Sequence, residues 1–101
     1  MIIGEAVSDV AAKEIVNVMQ EHVRNVPGIN GHSILVEEGG LMVILTTDWR
    51  NRQDCVAYHA SRAYRQLVAA TEHLLVGNYV VKLFQNRNDI VSWPWTTNNA
   101  P

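Results

Sequence analysis

This sequence predicts an α+β domain with the element order β–α–β–β–α–β. Three observations carry that reading. Two stretches place apolar residues at helical spacing, and each opens on a residue able to cap a helix. Between them lie two apolar runs joined by Glu38-Gly39-Gly40, and Gly-Gly tolerates the positive φ that a tight hairpin requires. Shorter apolar runs lie before the first helical stretch and after the second. At 101 residues the chain makes one domain with a single core.

Met1 to Val7, apolar apart from Gly4 and Glu5, is expected as the first strand. Ser8 and Asp9 suit a helix N-cap, because their side chains accept orphan backbone N–H groups. From Asp9 to Asn25 the positions Ala11, Ile15, Val18, Met19, His22 and Val26 line one helical face, and Pro27-Gly28 stops it. His32 to Glu37 and Leu41 to Asp48 form the hairpin. Asn51 or Asp54 caps the second helical region. Ser61 caps a new helix from Arg62 to about Leu75, with a buried stripe of Ala63, Tyr64, Leu67, Ala70, Thr71 and Leu74. Gly77-Asn78 ends it, and Tyr79 to Gln85 reads as the last strand. Residues 1–89 then form the domain and 90–101 a tail. The Trp93-Pro94-Trp95 of that tail is expected to pack on the domain or on a partner.

With right-handed crossovers this order is the ferredoxin-like arrangement, an antiparallel sheet with helices on one face. The run Leu41 to Asp48 is apolar on both of its faces over most of its length. A sheet with one wet face alternates apolar and polar. Both faces are therefore expected to be covered, one by the helices and the other by a second copy of the chain.

Composition excludes several classes. The net charge of −2, with only Lys13 and Lys82 and six scattered arginines, does not suit nucleic-acid binding, which needs a basic surface. Cys55 is the single cysteine, so neither an internal disulfide nor a multi-thiolate zinc site is expected. His22, His32, His59 and His73 show no metal-ligand spacing. With no signal-peptide pattern and no membrane-length apolar run, a cytoplasmic location is expected.

A resemblance follows from particular residues. Val26-Pro27-Gly28 closes the first helix, and a hairpin follows. Thr47-Asp48-Trp49 ends a strand. Tyr58-His59-Ala60-Ser61 and the closing Tyr79-Val80-Val81-Lys82-Leu83-Phe84 come in order. Over about residues 1 to 85 the chain resembles the antibiotic-biosynthesis-monooxygenase-like family of the dimeric α+β barrel superfamily. The resemblance implies a homodimer and a pocket between helices and sheet. It implies oxidation of small aromatic, quinol-like molecules by oxygen without metal or flavin, so no cofactor is expected. Other members of the family degrade heme.

Residue by residue, Trp49 matches the family's strand-end tryptophan. Four positions earlier the oxygenases carry an asparagine that polarises the substrate oxygen; here it is Leu45. The first-strand asparagine of the heme-degrading branch falls on Ile3, and its iron-ligating histidine near Val68. Histidines that flank the Ser61-like position in a quinol-oxidising branch fall on Tyr58 and Ala63, with His59 one residue off. Replacing one oxyanion donor removes about 3–4 kcal/mol of transition-state stabilisation.

Within that frame the candidate ligand-binding residues are Trp49, Leu45, Tyr58, Arg65 and Val68. Trp49 serves either as core at the sheet edge or as an aromatic wall with one N–H donor. His59, whose ordinary pKa is near neutrality, is a candidate base. Tyr64 lies on the apolar stripe and can aim its hydroxyl into the same space. Tyr58 and His59 are adjacent, so on a helix they point about 100° apart and are not expected to share one pocket fully. Glu5 is a third acid–base candidate: if it shares the face of Ile3 it is expected to point toward the helices, where desolvation raises a carboxylate's pKa, and otherwise it lies at an exposed edge. The sequence leaves three readings open: an oxygenase, a non-catalytic binding module and a dimeric scaffold.

Overall fold

The computed structural model describes residues 1–84. Its elements are β1 (Ile2–Glu5), α1 (Asp9–Val23), β2 (Ile29–Val36), β3 (Met42–Trp49), α2 (Arg52–His59), α3 (Arg62–Thr71), a 3₁₀ turn (Glu72–Leu74) and β4 (Val80–Val81). The strands lie in the order β2-β3-β1-β4, every neighbouring pair antiparallel. This is the ferredoxin-like α+β fold, with an open sheet.

Ser8 starts α1: its Oγ accepts the Ala11 N–H at 3.1 Å. The helix then buries Ala11, Ile15, Met19 and Val23, four apart, with Ala12 beside them. It ends at Val23 and not at Asn25. Val26 precedes Pro27, which disfavours helical backbone there, and Gly28 takes φ +89° to redirect the chain. The helix packs on the sheet and on α3. Ile2, Ile15, Met19, Val43, Leu45 and Leu67 make the fully buried centre between these layers.

Register decides which face each strand residue takes. Ile2 pairs with the buried Leu45, and Gly4 with the buried Val43, so these face the helices. Ile3 pairs with Ile44 and Glu5 with Met42 on the opposite side. That side is apolar and uncovered in the single chain: Ile3 and Ile44 are half-buried, while Leu35 and Val80 are 54% and 52% exposed.

Gly4 is required by packing. A Cβ there would lie 2.7 Å from Cε1 of Tyr79 and 2.8 Å from Cδ2 of Leu75. The Tyr79 ring uses that space. Its hydroxyl meets Thr71 Oγ1 at 2.7 Å, and the threonine in turn donates to the Leu67 carbonyl at 2.8 Å.

The closing strand is shorter than Tyr79 to Gln85. Among the described residues Val80–Val81 pairs with β1, and Lys82 exchanges backbone hydrogen bonds with Met1 at 2.8 and 2.9 Å just beyond it. The reason is that β1 is short and Leu75-Val76 already occupies its far end: Ala6 bridges Leu75, and the Val76 N–H donates to the Glu5 carbonyl at 2.7 Å. Tyr79 is turned toward Thr71. The helix after Ser61 ends at Thr71 and tightens into the 3₁₀ turn, and Ala70 is exposed and outside the buried stripe. Gln85, the loop 86–89, the tail 90–101 with Trp93-Pro94-Trp95, and the boundary between domain and tail lie outside the described residues. Among the described residues no helix is long and apolar enough to cross a membrane.

Candidate functional site

Trp49 is the last residue of β3, and its Nε1–H donates to Thr47 Oγ1 at 2.8 Å. Thr47 and Trp49 are two apart on a strand and so share a face, which fixes the indole where the sheet ends. The chain then turns into α2. Asn51 Oδ1 accepts the Asp54 N–H at 2.8 Å and caps the helix, so Asn51 and not Asp54 is the cap. Arg50 reaches Asp54 at 2.7 Å, and its backbone N–H donates to the Gly28 carbonyl at 2.8 Å.

The eight-residue α2 buries one side chain, Tyr58. The tyrosine ring lies 5.2 Å from Trp49, centroid to centroid, and meets Tyr64 edge-on at 5.7 Å. Its hydroxyl is 2.7 Å from Nε2 of His22 on α1. Burial lowers the His22 pKa and pushes that of Tyr58 far up, so both are neutral at pH 7 and the phenol donates to the imidazole.

His59 ends α2. Its Nδ1 lies 2.9 Å from the Cys55 carbonyl, which can only accept, so Nδ1 carries the proton and Nε2 is left as an acceptor. That Nε2 is buried and has no partner among the described residues. The imidazole packs 5.3 Å from the Tyr64 ring and 6.5 Å from Trp49. The Cys55 thiol is 3.8 Å from Nδ1, and burial raises its pKa.

Ser61 holds the break between α2 and α3. Its hydroxyl donates to the Tyr58 carbonyl at 2.6 Å and accepts the Tyr64 N–H at 3.3 Å. Tyr58 and His59, the last two residues of α2, have their rings 5.0 Å apart and edge-on, and both also pack against Trp49 and Tyr64.

The structure thus gathers Trp49, Tyr58, His59 and Tyr64, and adds His22. The remaining candidates lie elsewhere. Leu45 is 1% exposed and belongs to the core. Val68 is half-buried on α3. Arg65 is exposed and donates to the Ala60 carbonyl at 3.2 Å. Glu5 does share the face of Ile3, but that is the face away from the helices, and Glu5 is exposed there. His22 is a polar residue on the apolar stripe of α1, which is its sequence signal; nothing in the sequence pairs it with Tyr58, 36 residues on.

Trp49 also lines a cavity of about 640 Å³ between the end of β3, the start of α2 and the segment after β4, with Thr47, Arg52, Cys55, Leu83 and Phe84. A groove of about 450 Å³ runs between α1 and α3 past Val18, His22 and Leu67. Tyr58 packs against both Trp49, which lines the cavity, and His22, which lines the groove, but itself lines neither. Among the described residues no group of three or more His, Cys, Asp or Glu side chains is placed to hold a metal ion.

No protein-family model matches the sequence, and no curated protein matches it. Solved structures match it in fold. One is the monooxygenase from ActVA-Orf6 of Streptomyces coelicolor, solved in complex with nanaomycin D. It is 18% identical with a TM-score of 0.63, covering 84% of this chain and 86% of that one. A second, an antibiotic biosynthesis monooxygenase, is 15% identical with a TM-score of 0.65, covering 84% and 94%. A third, Rv0793 of Mycobacterium tuberculosis, is 15% identical with a TM-score of 0.60, covering 83% and 93%. The chain has the antibiotic biosynthesis monooxygenase-like fold. At these identities the likeness is one of fold. In this chain Tyr58 is buried against Trp49, and Trp49 also lines the cavity of about 640 Å³.

Proposed function

We propose that this chain binds a small aromatic, quinol-like molecule against Trp49 and oxidises it with molecular oxygen, using no metal or flavin. The observation that supports this most is Trp49 itself: an indole pinned by Thr47 that both lines the cavity and packs against Tyr58. His59 is the base. Its unpartnered Nε2 accepts a proton from a ligand hydroxyl, and the resulting anion passes an electron to oxygen. Tyr64, a neutral phenol whose pKa burial raises further, is the hydroxyl donor beside His59. The Streptomyces neighbour holding nanaomycin D agrees with a planar ligand. A second copy of the chain covers the open sheet face.

Leu45 and Ile3, apolar where the sequence resemblance expects polar partners, favour a second reading, in which the site binds the aromatic molecule and does not turn it over. Oxygen uptake with a panel of quinols separates the two. On the first reading uptake occurs, Trp49→Phe weakens it, and His59→Ala lowers its rate by about 100-fold or more. Binding without uptake supports the second. Uptake that both substitutions leave unchanged would place the site elsewhere.

A further inference from the structure

The Tyr58 ring is held as a bound phenol would be held. Trp49 packs against it at 5.2 Å, Tyr64 and His59 meet it edge-on at 5.7 and 5.0 Å, and its hydroxyl sits 2.7 Å from His22 Nε2. We propose that Tyr58 occupies an aromatic-binding cage from within, and that His22 reads the hydroxyl of a ligand that takes its place.

Three observations support displacement over fixed core packing. Tyr58 is the only buried side chain of α2. The rest of that short helix is exposed or half-buried, with His59, packed on Tyr64 and Trp49, as its other inward side chain, so withdrawing Tyr58 removes its one fully buried anchor. Its other ties are weak: an Arg50–Asp54 ion pair at the surface, worth about 0–1 kcal/mol, and the Asn51 and Ser61 caps. Finally, one cage residue borders each open space, Trp49 the cavity and His22 the groove.

The chemistry of the cage selects the ligand class. His22 is kept neutral by burial and offers an acceptor to a neutral hydroxyl. Arg65 on α3 donates to the Ala60 carbonyl, and the two side chains that meet the Tyr58 hydroxyl and ring edge, His22 and Tyr64, are neutral. A neutral hydroxyarene fits, with its ring on Trp49 and its hydroxyl on His22. This inference rests on the reading that Trp49 takes a planar aromatic ligand, but not on any oxidation.

The test uses Tyr58→Ala, with p-cresol and toluene as probes that differ only in the hydroxyl. Thermal shift is expected to show p-cresol stabilising the variant and binding it roughly tenfold more tightly than toluene does, the difference one buried hydrogen bond makes. The preference should vanish in Tyr58→Ala/His22→Leu, which shows that His22 accepts from the probe's hydroxyl. Equal shifts from both probes, or none, overturn the proposal. Displacement itself, which a fixed Tyr58–His22 pair would not allow, is read by hydrogen exchange of the wild-type chain in p-cresol. Faster exchange confined to residues 52–59 supports displacement, and unchanged exchange there overturns it. Oxygen uptake is scored separately: a p-cresol preference without uptake sinks the oxidation and leaves the cage, and uptake without the preference does the reverse.

Discussion

His22 is a titrating group set between water and the core. Burial lowers its pKa below the ordinary 6.5. As pH falls, the unfolded chain therefore takes up this proton before the folded chain does. The stability associated with a neutral His22 is complete above about pH 6.5 and is lost as pH falls toward the depressed folded value. His22→Gln is expected to flatten that part of the stability–pH curve, measured by denaturant unfolding at a series of pH values. Tyr58→Phe removes the phenol from the same bond and is expected to cost about 1 kcal/mol. Gly4→Ala tests a different constraint. Its Cβ has no room beside the Tyr79 ring, so about 1–3 kcal/mol of destabilisation is expected from overpacking, again by denaturant unfolding. Of these residues, His22 was legible as a polar residue on an apolar stripe and Trp49 as the end of a strand. Glu5 was placed on the wrong side of the sheet. Its strand is four residues long and apolar on both faces, so no alternation pointed to the helix side.

At the scale of elements, Ser61 carries more than a cap usually does. It accepts from the first turn of α3 and donates to the last turn of α2, and the Tyr58 carbonyl it holds belongs to the residue at the centre of the cluster. Ser61→Ala is expected to cost about 1 kcal/mol and to speed hydrogen exchange in both helices, where an ordinary cap would affect one. The order of elements was readable because its signals are local: Ser8, Asn51 and Ser61 each precede a helix, and Gly39 takes the positive φ of the hairpin turn. The length of β4 was not readable. It depends on how much of β1 remains after Leu75-Val76 has paired, and no window of sequence contains both partners. The aromatic cluster was half readable for the same reason. Tyr58, His59 and Tyr64 are neighbours in sequence, while Trp49 and His22 reach them through β3 and α1.

For the whole molecule, the face of the sheet turned from the helices governs assembly. Ile3, Leu35, Ile44 and Val80 share it, and a charge placed there would be buried by any second copy. If the proposed homodimer forms through this face, Ile44→Glu is expected to shift the chain to monomer in analytical ultracentrifugation while leaving its helical content intact. A dimer that survives the substitution would use another surface. The doubled apolar pattern of β3 was the only sequence signal for this face. It was readable because β3 lies inside the sheet, where its own residues show both sides.

The two margins of the sheet differ in what they offer a stray chain. Along β1 the neighbouring chain is interrupted: Leu75-Val76 pairs, Gly77-Asn78-Tyr79 swings out, and Val80–Val81 pairs again. An extended peptide finds no continuous row of free amides there. At the other margin β2 runs for eight residues, Ile29–Val36, and its last three are Ile34, Leu35 and Val36. Among the described residues nothing pairs with its outer side. A strand edge of that composition is a template for fibril growth, and the register shift between Ile29 and Gly31 interrupts only its start, so a damaged or overconcentrated sample of this protein is expected to polymerise from the Ile34–Val36 end of β2. A lysine at Leu35 is the simplest guard against it.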